Sequence, residues 1–416
     1  MSLEDAFVLE RVHELLGAVC DPQLRLVSKR CNATMKQFEL ERPVLRDFVA
    51  SVSLLQWAKT NLKVSLRGVC DDAAKGGHLD VLKWARAQKR PAGWFAQTIS
   101  AAAGAGYLEV VQWMRAQSPP CPWNSGTCVA AAEGGHVNVL QWMHAQEPPC
   151  PWDANTVAAA AKGGHVEVLE WLRVQDPPCP STPKKLGEAA GAAGHLHVLE
   201  WIHAVYPTFP RHNGYSKVAH EAAANGHIPV LEWVRTVPFL DYNSPICNCD
   251  ISVFLGAAKA GRLDIFEWLK AQNPPCILNA AVFWLCAETD NLSVVQWLRA
   301  QHPPCPWDVN ATLYAAMAGR WDMLAWLRSQ DPPAPWSFKL CTQVAAYTDM
   351  DFLVRVRSFD PPCPWDESTC REAVVHDRLE TFAWMRAQVP PCPCNAATRA
   401  LAFAHFGDAA EAFGNF

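Results

Sequence analysis

One pattern of apolar and polar positions recurs along most of the chain. Its clearest copy runs from Pro151 to Cys179 with the sequence PWDANTVAAAAKGGHVEVLEWLRVQDPPC. The first half is rich in alanine and follows small polar residues, which predicts a short helix over about 156–162. The second half alternates Val, Leu and Trp with Glu and Arg at helical spacing, which predicts an amphipathic helix over about 165–175. The unit is therefore predicted to be a helical hairpin.

Glycines and prolines mark the ends of these two helices. Gly163 and Gly164 end the first helix, because glycine adopts the left-handed conformation of a helix C-cap at little cost. Pro177 and Pro178 end the second helix, since proline cannot continue a helix. Neither helix can bury its apolar face alone. We therefore expect neighbouring hairpins to stack and to share one continuous core that includes the tryptophans.

The hairpin unit repeats at a nearly fixed interval. A tryptophan two positions after a large apolar residue recurs eleven times, and Trp113, Trp142 and Trp171 are spaced 29 residues apart. A further unit carries Val356 instead, which gives about twelve units. The predicted fold is an all-α solenoid over residues 43–394. The stretch 395–416 retains one alanine-rich helix and is predicted to be a C-terminal cap.

Composition and charge narrow the class of protein. The chain has 416 residues, of which 50% are hydrophobic and 19% charged, as in folded proteins. A formal net charge of −5 argues against a partner that is a nucleic acid or an anionic membrane. No apolar run reaches the roughly 18 residues of a membrane span, and no secretory signal is visible, so we expect a soluble intracellular protein. The odd count of 17 cysteines favours reduced, mostly buried thiols over a disulfide framework.

The repeat unit resembles the ankyrin repeat. GGHVEVLEWL at 163–172 and GGHVNVLQWM at 134–143 resemble the second ankyrin helix, and the run from Thr156 to Ala161 resembles the first. The ankyrin Pro-Leu-His is absent and the period is 29 instead of about 33, so the tight turn PPCPW is expected to replace the ankyrin β-hairpin. Repeats of this short, tryptophan-rich style resemble those of proteins from giant DNA viruses that infect amoebae. The resemblance implies a protein-binding array in the cytoplasm of a host cell.

Residues 1–42 lack the repeat and carry a different pattern. Apolar residues at helical spacing on either side of Asp21-Pro22 predict two helical segments. LERVHELL at 9–16 and LRLVSKRCNATM at 24–35 resemble an F-box. That resemblance implies docking on the linker subunit of a cullin–RING ubiquitin ligase, while the rest of the chain holds a host substrate protein. The implied contacts, either to the adaptor or within the module, come from Leu9, Val12, Leu16, Leu24, Leu26 and Val27. The alternative is a plain scaffold that sequesters a partner, with residues 1–42 serving only as a helical cap.

The sequence offers little sign of catalysis or of a cofactor. It contains no GxSxG, HExxH or Walker-type run, so we expect a protein that is not an enzyme. Histidine recurs at the start of the second helix, as in His165, but later units carry Arg262, Asn291 and Arg320 there. These histidines are therefore predicted to bond nearby backbone and not a metal. The pair Cys247-x-Cys249 leaves a zinc-dependent module as a third hypothesis.

Partner contacts are predicted on the turns and on the alanine-rich helices, where the repeats differ from one another. The candidates are Asn124, Ser125, Asp153, Asn155, Asp308, Asn310, Ser337, Lys339, Asp366 and Glu367. Turn tryptophans such as Trp123 are of a type enriched in interfaces, but their regular recurrence favours a packing role. Turn cysteines such as Cys121 are predicted to be small buried hydrophobes. The longer connectors 206–216 and 237–251 either bend the array, contribute to binding or are tolerated insertions.

Overall fold

The fold is all-α wherever it is described. A computed structural model of the chain describes residues 52, 55–56, 68–88, 92–206, 214–236, 251–272, 276–347 and 350–407. Every regular element in these ranges is a helix and none is a strand, which confirms the predicted fold class at that level. The chain divides into two compact units, of which the first ends at Ser181 and the second begins at Thr182.

The first unit contains four helical hairpins in its described part. Its helices are α1 (Val69–Lys75), α2 (Leu79–Arg86), α3 (Ala96–Gly104), α4 (Leu108–Arg115), α5 (Ser125–Glu133), α6 (Val137–His144), α7 (Ala154–Gly163) and α8 (Val166–Arg173). The first helices of the hairpins pack side by side in the order α1, α3, α5 and α7. Each second helix packs on the first helix of its own hairpin. The unit is therefore a two-layered stack of hairpins, as the repeat pattern predicts.

The second unit continues the same arrangement within itself. Its helices are α9 (Pro183–Ala193), α10 (Leu196–Val205), α11 (Gly214–Asn225), α12 (Ile228–Thr236), α13 (Ile251–Ala260), α14 (Leu263–Lys270), α15 (Ala280–Ala287), α16 (Leu292–Arg299), α17 (Val309–Met317), α18 (Trp321–Ser329), α19 (Phe338–Tyr347), α20 (Met350–Arg357), α21 (Glu367–Val375), α22 (Leu379–Ala387) and α23 (Ala396–Phe406). The odd-numbered helices form one layer from α9 to α23, and each even-numbered helix packs on the helix before it. This stacking is compatible with the predicted α-solenoid.

The first helix of the clearest repeat begins two residues earlier than predicted. The N-cap is Asp153, whose carboxylate accepts hydrogen bonds from the backbone N–H groups of Asn155 at 2.8 Å and Thr156 at 3.3 Å. The Thr156 hydroxyl in turn accepts from the Asp153 N–H at 3.3 Å. This reciprocal capping box satisfies backbone donors that a helix start leaves unpaired. The same Asp-x-x-Thr arrangement starts α21 at Asp366.

The paired glycines between the two helices have different roles. Gly164 has a φ of 82°, so it is the left-handed residue that the sequence predicts. Gly163 is packed so closely on the preceding repeat that a Cβ there would overlap the carbonyl oxygen of Glu133. Gly134 meets the carbonyl oxygen of Gly104 in the same way. The absence of a side chain at the first glycine therefore sets how closely neighbouring first helices approach.

The core consists mainly of aliphatic residues. In α8, Val168, Leu169 and Leu172 are fully buried, and Ala160 is fully buried in α7. Trp171 is only half-buried, and so are the equivalent tryptophans of the other described repeats. The prediction that these tryptophans belong to the core was therefore too strong. These tryptophans lie at the edge of the core, where each side chain remains partly exposed to solvent.

Candidate interaction surface

The turns between repeats are held by stacked side chains. The guanidinium of Arg115 lies 3.9 Å from the ring centroid of Trp123, and its Nη1 donates to the carbonyl of Cys121 at 2.7 Å. Trp123 also contacts Trp142 edge-on, with ring centroids 6.3 Å apart. Contacts of this kind combine cation–π attraction with apolar burial. They confirm that the turn tryptophan is a packing residue.

The arginine–tryptophan stack recurs in both units. The guanidinium carbon lies within about 5 Å of the ring centroid in each case. The further pairs are Arg86 with Trp94, Arg299 with Trp307, Arg328 with Trp336, and Arg357 with Trp365. In one repeat His144 replaces the arginine and stacks on Trp152 at 4.1 Å. In these six turns the tryptophan is thus a structural element of the hairpin, and part of its aromatic surface is already covered.

The residues at the start of the second helices bond to the preceding repeat. The Nε2 atoms of His136 and His165 lie 3.2 Å and 3.0 Å from the carbonyl oxygens of Gly104 and Glu133. Each ring also covers the left-handed glycine of the preceding repeat, as His165 covers Gly135. The predicted backbone bond is confirmed, but its partner lies in the neighbouring repeat and not in the same one.

The substitutes for histidine make the same kind of bond. Arg262 donates from Nη1 to the carbonyl of Asn225 at 3.0 Å, and Asn291 donates from Nδ2 to the carbonyl of Lys259 at 2.8 Å. Histidine, arginine and asparagine share only a side-chain N–H donor at this place. The side chain at this position therefore connects its repeat to the preceding repeat by a hydrogen bond.

The turn cysteines are buried, as predicted, and they also act as donors. The thiols of Cys121, Cys150 and Cys179 lie 3.3–3.4 Å from the carbonyl oxygens of the N-cap residues of their own repeats. Desolvation raises the pKa of Cys121 and Cys179 from 9.0 to about 12. Cys276 is disulfide-bonded, in contrast to the predicted reduced state, and the other twelve described cysteines are free.

Most of the predicted partner-binding residues lie at the starts of first helices. Asn124, Asp153, Asp308 and Asp366 are N-cap residues, so part of their polar capacity is already used by the backbone. The remaining candidates lie at or near the starts of first helices. Ser125, Asn155, Asn310, Lys339 and Glu367 lie in the first turn of their helices, and Ser337 is only 4% exposed.

The surface of the second unit departs from the repeat pattern at four positions that the sequence analysis missed. Where regular repeats carry Val, Ala, a charged residue or Gly, this unit carries Trp284, Tyr314, Met317 and Tyr347. We call these four residues the aromatic patch. Tyr314 is 37% exposed, Met317 43% and Tyr347 66%. Aligning the repeats by their turns would have revealed these substitutions.

Rings of neighbouring first helices meet within the aromatic patch. The ring centroids of Trp284 and Tyr314 are 4.5 Å apart, with an angle of 22° between the planes. Tyr347 contacts the imidazole of His376 on the next first helix at 4.8 Å. Charged groups follow the patch residues closely in sequence: Asp290, six residues after Trp284, pairs with Arg320, three residues after Met317, at 3.4 Å and is itself 80% exposed. An apolar centre with a charged rim is the usual composition of a protein interface.

Several predicted features lie outside the described residues. These are the six F-box-like contacts between Leu9 and Val27, the pair Cys247 and Cys249, and most of the longer connectors. Within the described ranges, no cluster of three or more His, Cys, Asp or Glu side chains is arranged to hold a metal ion. No helix in those ranges is long and apolar enough to cross a membrane.

Comparison with known proteins adds no family to this description. No family model matches the sequence, and no curated protein is significantly similar to it. The functional argument therefore depends on the residues and contacts described above.

Proposed function

We propose that this chain is a non-catalytic protein-binding repeat protein whose partner contacts the aromatic patch. The observation that carries the proposal is the exposure of Tyr314, Met317 and Tyr347 at positions where other repeats have small or charged residues. Stacking of the hairpins does not require these side chains, because regular repeats pack without them. Tyr and Trp are enriched among the residues that dominate binding energy at interfaces.

The proposed wider role is that of a substrate-recruiting adaptor. The runs LERVHELL and LRLVSKRCNATM support this role through their resemblance to an F-box. In this proposal residues 1–42 bind the linker subunit of a cullin–RING ubiquitin ligase in the host cytoplasm, and the repeat array holds a host protein. A scaffold that only sequesters its partner is the second candidate, and it is favoured if residues 1–42 serve as a cap.

One experiment separates the patch from the N-terminal element. The full chain, a chain that begins at Pro43, and the double variant Tyr314→Ala/Tyr347→Ala are each used to capture proteins from a eukaryotic lysate. We expect the cullin linker subunit to co-elute with the full chain and with the double variant, but not with the shortened chain. The substrate protein should be lost, by at least about tenfold, only from the double variant.

Phe95 provides the matched control for the double variant. It is 70% exposed and belongs to a repeat of the first unit, which carries no residue of the aromatic patch. Phe95→Ala should therefore capture the same proteins as the unchanged chain. Equal capture by the double variant and Phe95→Ala would contradict the role of the patch. If the linker subunit is absent from every sample although all chains are folded, the adaptor role is contradicted and the scaffold function is supported.

A further inference from the structure

Three described repeats carry a second cysteine that faces the turn cysteine. It lies in the first helix, 22 residues before the turn cysteine of the same repeat. The pairs are Cys128 with Cys150, Cys341 with Cys363, and Cys370 with Cys392. Other repeats that keep the turn cysteine have a hydrocarbon side chain at this first-helix position. These are Ile99 before Cys121, Val157 before Cys179, Phe254 before Cys276, and Phe283 before Cys305.

The two thiols of one pair are in contact, and the first-helix thiol of each pair lies beside the backbone of its turn cysteine. The Sγ atoms of Cys341 and Cys363 are 2.9 Å apart, and the Cys341 thiol lies 3.7 Å from the carbonyl oxygen of Cys363. In the other two repeats the first-helix thiol lies 3.9 Å from the carbonyl oxygen of Cys150 and 3.8 Å from that of Cys392. All six cysteines are buried and free. Contact between the sulfurs places Cys341 and Cys363 within reach of an S–S bond of about 2.05 Å after a small shift.

We propose that Cys341 and Cys363 are a disulfide-forming site that is oxidised by a small disulfide such as glutathione disulfide. The pairs Cys128–Cys150 and Cys370–Cys392 belong to the same class of site. The bond joins the turn that follows the second helix to the first helix of the same repeat. It therefore cross-links one repeat and does not connect it to its neighbours.

The reaction is two successive thiol–disulfide exchanges. One cysteine thiolate attacks the S–S bond of glutathione disulfide, which forms a mixed disulfide and releases one glutathione thiolate. The second cysteine thiolate then displaces the other glutathione and closes the protein disulfide. The protein loses two electrons to the oxidant, and the two thiol protons end on the two released glutathione molecules.

Burial controls when this exchange occurs. Hydrogen bonding to Cys363 and desolvation raise the pKa of Cys341, so little thiolate exists in the folded repeat. The exchange therefore proceeds while the hairpin is open, either during folding or in a local opening, and the closed bond is then shielded from reductant. The oxidised repeat is expected to open less readily, because the bond constrains the open state.

Refolding in a glutathione redox buffer tests the site on the full chain. After refolding, free thiols are alkylated and the chain is digested for mass spectrometry. We expect a joined peptide pair containing Cys341 and Cys363, lighter by two hydrogen atoms than the two separate peptides. It should exceed any pairing of Cys121, Cys179 or Cys305 by at least about tenfold. Recovery of Cys341 and Cys363 in alkylated form, or random pairing among all cysteines, would overturn the proposal.

Thermal unfolding gives a second readout that compares matched variants. The oxidised chain should have a higher Tm than the reduced chain, and Cys341→Ser should reduce this rise by the share that the Cys341–Cys363 bond contributes. Cys305→Ser is the control, because the first helix of its repeat carries Phe283 at the position equivalent to Cys341. It should leave the rise unchanged. An equal effect of both substitutions would mean that the Cys341–Cys363 bond is not the cause.

Discussion

At the scale of single residues, the array depends on one position that ties each repeat to the one before it. In most described repeats this position carries a side-chain N–H donor, such as His165, Arg262 or Asn291, whereas Tyr107 only places its ring over the glycine of the preceding repeat. Because histidine is replaced by arginine or asparagine at this position, the sequence argues against a metal site there. Once the contacts are known, the same replacements identify the hydrogen-bond donor as the shared property. The Asp-x-x-Thr caps at Asp153 and Asp366 are similar, because the sequence pattern predicts a helix start at about residue 156 and the capping box becomes visible only in the contacts.

We predict that His165→Ala destabilises the array more than His165→Asn does. Alanine removes both the bond to the Glu133 carbonyl and the ring over Gly135, which should lower the free energy of unfolding by about 1 kcal/mol. Asparagine retains a donor, as Asn291 does naturally, and should recover at least half of the loss. Urea unfolding followed by circular dichroism measures both variants. Equal losses would show that the donor has no role.

At the scale of elements, neighbouring first helices come close together where a glycine pair ends the first helix. Gly163 at the end of α7 and Gly134 directly after α5 approach carbonyl oxygens of the preceding first helix so closely that no Cβ fits without a shift, whereas Ala105, Ala193, Ala260 and Ala318 occupy this position in other repeats. Carbonyl groups belong to the backbone, so they cannot move aside as a flexible side chain can. At these two glycines the hairpins therefore stack by contact of backbone on backbone.

We predict that Gly163→Ala destabilises the fold although alanine favours a helix. Overpacking at α7 should outweigh the gain in helix propensity and lower the free energy of unfolding by about 2 kcal/mol. The control is Gly126→Ala in α5, where the nearest group is the flexible side chain of Asn124 at 3.0 Å. That variant should be neutral or more stable. Chemical denaturation of the two variants checks the prediction, which fails if Gly163→Ala is as stable as Gly126→Ala.

At the scale of the whole molecule, the sequence predicts those features of the structure that depend on the local pattern of residues. Helical periodicity and the glycine and proline positions suffice for the helices of each repeat, because these signals act within a few residues. They do not predict the Arg115–Trp123 stack or the aromatic patch. Both depend on which side chains meet across connectors or remain exposed after stacking. The patch at Tyr314 and Tyr347 becomes visible only when each repeat is compared with its neighbours in a known register.

The stability of the fold at alkaline pH depends on contributions from the buried thiols of many repeats. Desolvation raises the pKa of Cys121, Cys179 and Cys305 to about 12 in the folded chain, against an ordinary value of 9.0. A raised folded pKa means that the stabilisation is complete below the unfolded pKa and is lost as pH rises through the folded pKa. Each buried thiol therefore weakens the fold between about pH 9 and about pH 12, because only the unfolded chain ionises there readily. The losses add across the repeats.

We therefore predict that the unfolding midpoint in urea falls steeply above about pH 9 under reducing conditions. Replacing Cys121, Cys179 and Cys305 together by alanine should make that decline shallower, since three of the ionising groups are gone. The comparison is replacement of Cys394, which is only half-buried; desolvation raises its pKa as well, but by less, so its loss should change the slope less than the triple replacement does. Midpoints measured at pH values on both sides of the thiol range supply the comparison. An identical decline in the triple variant and the unchanged chain would assign the alkaline sensitivity to groups other than these thiols.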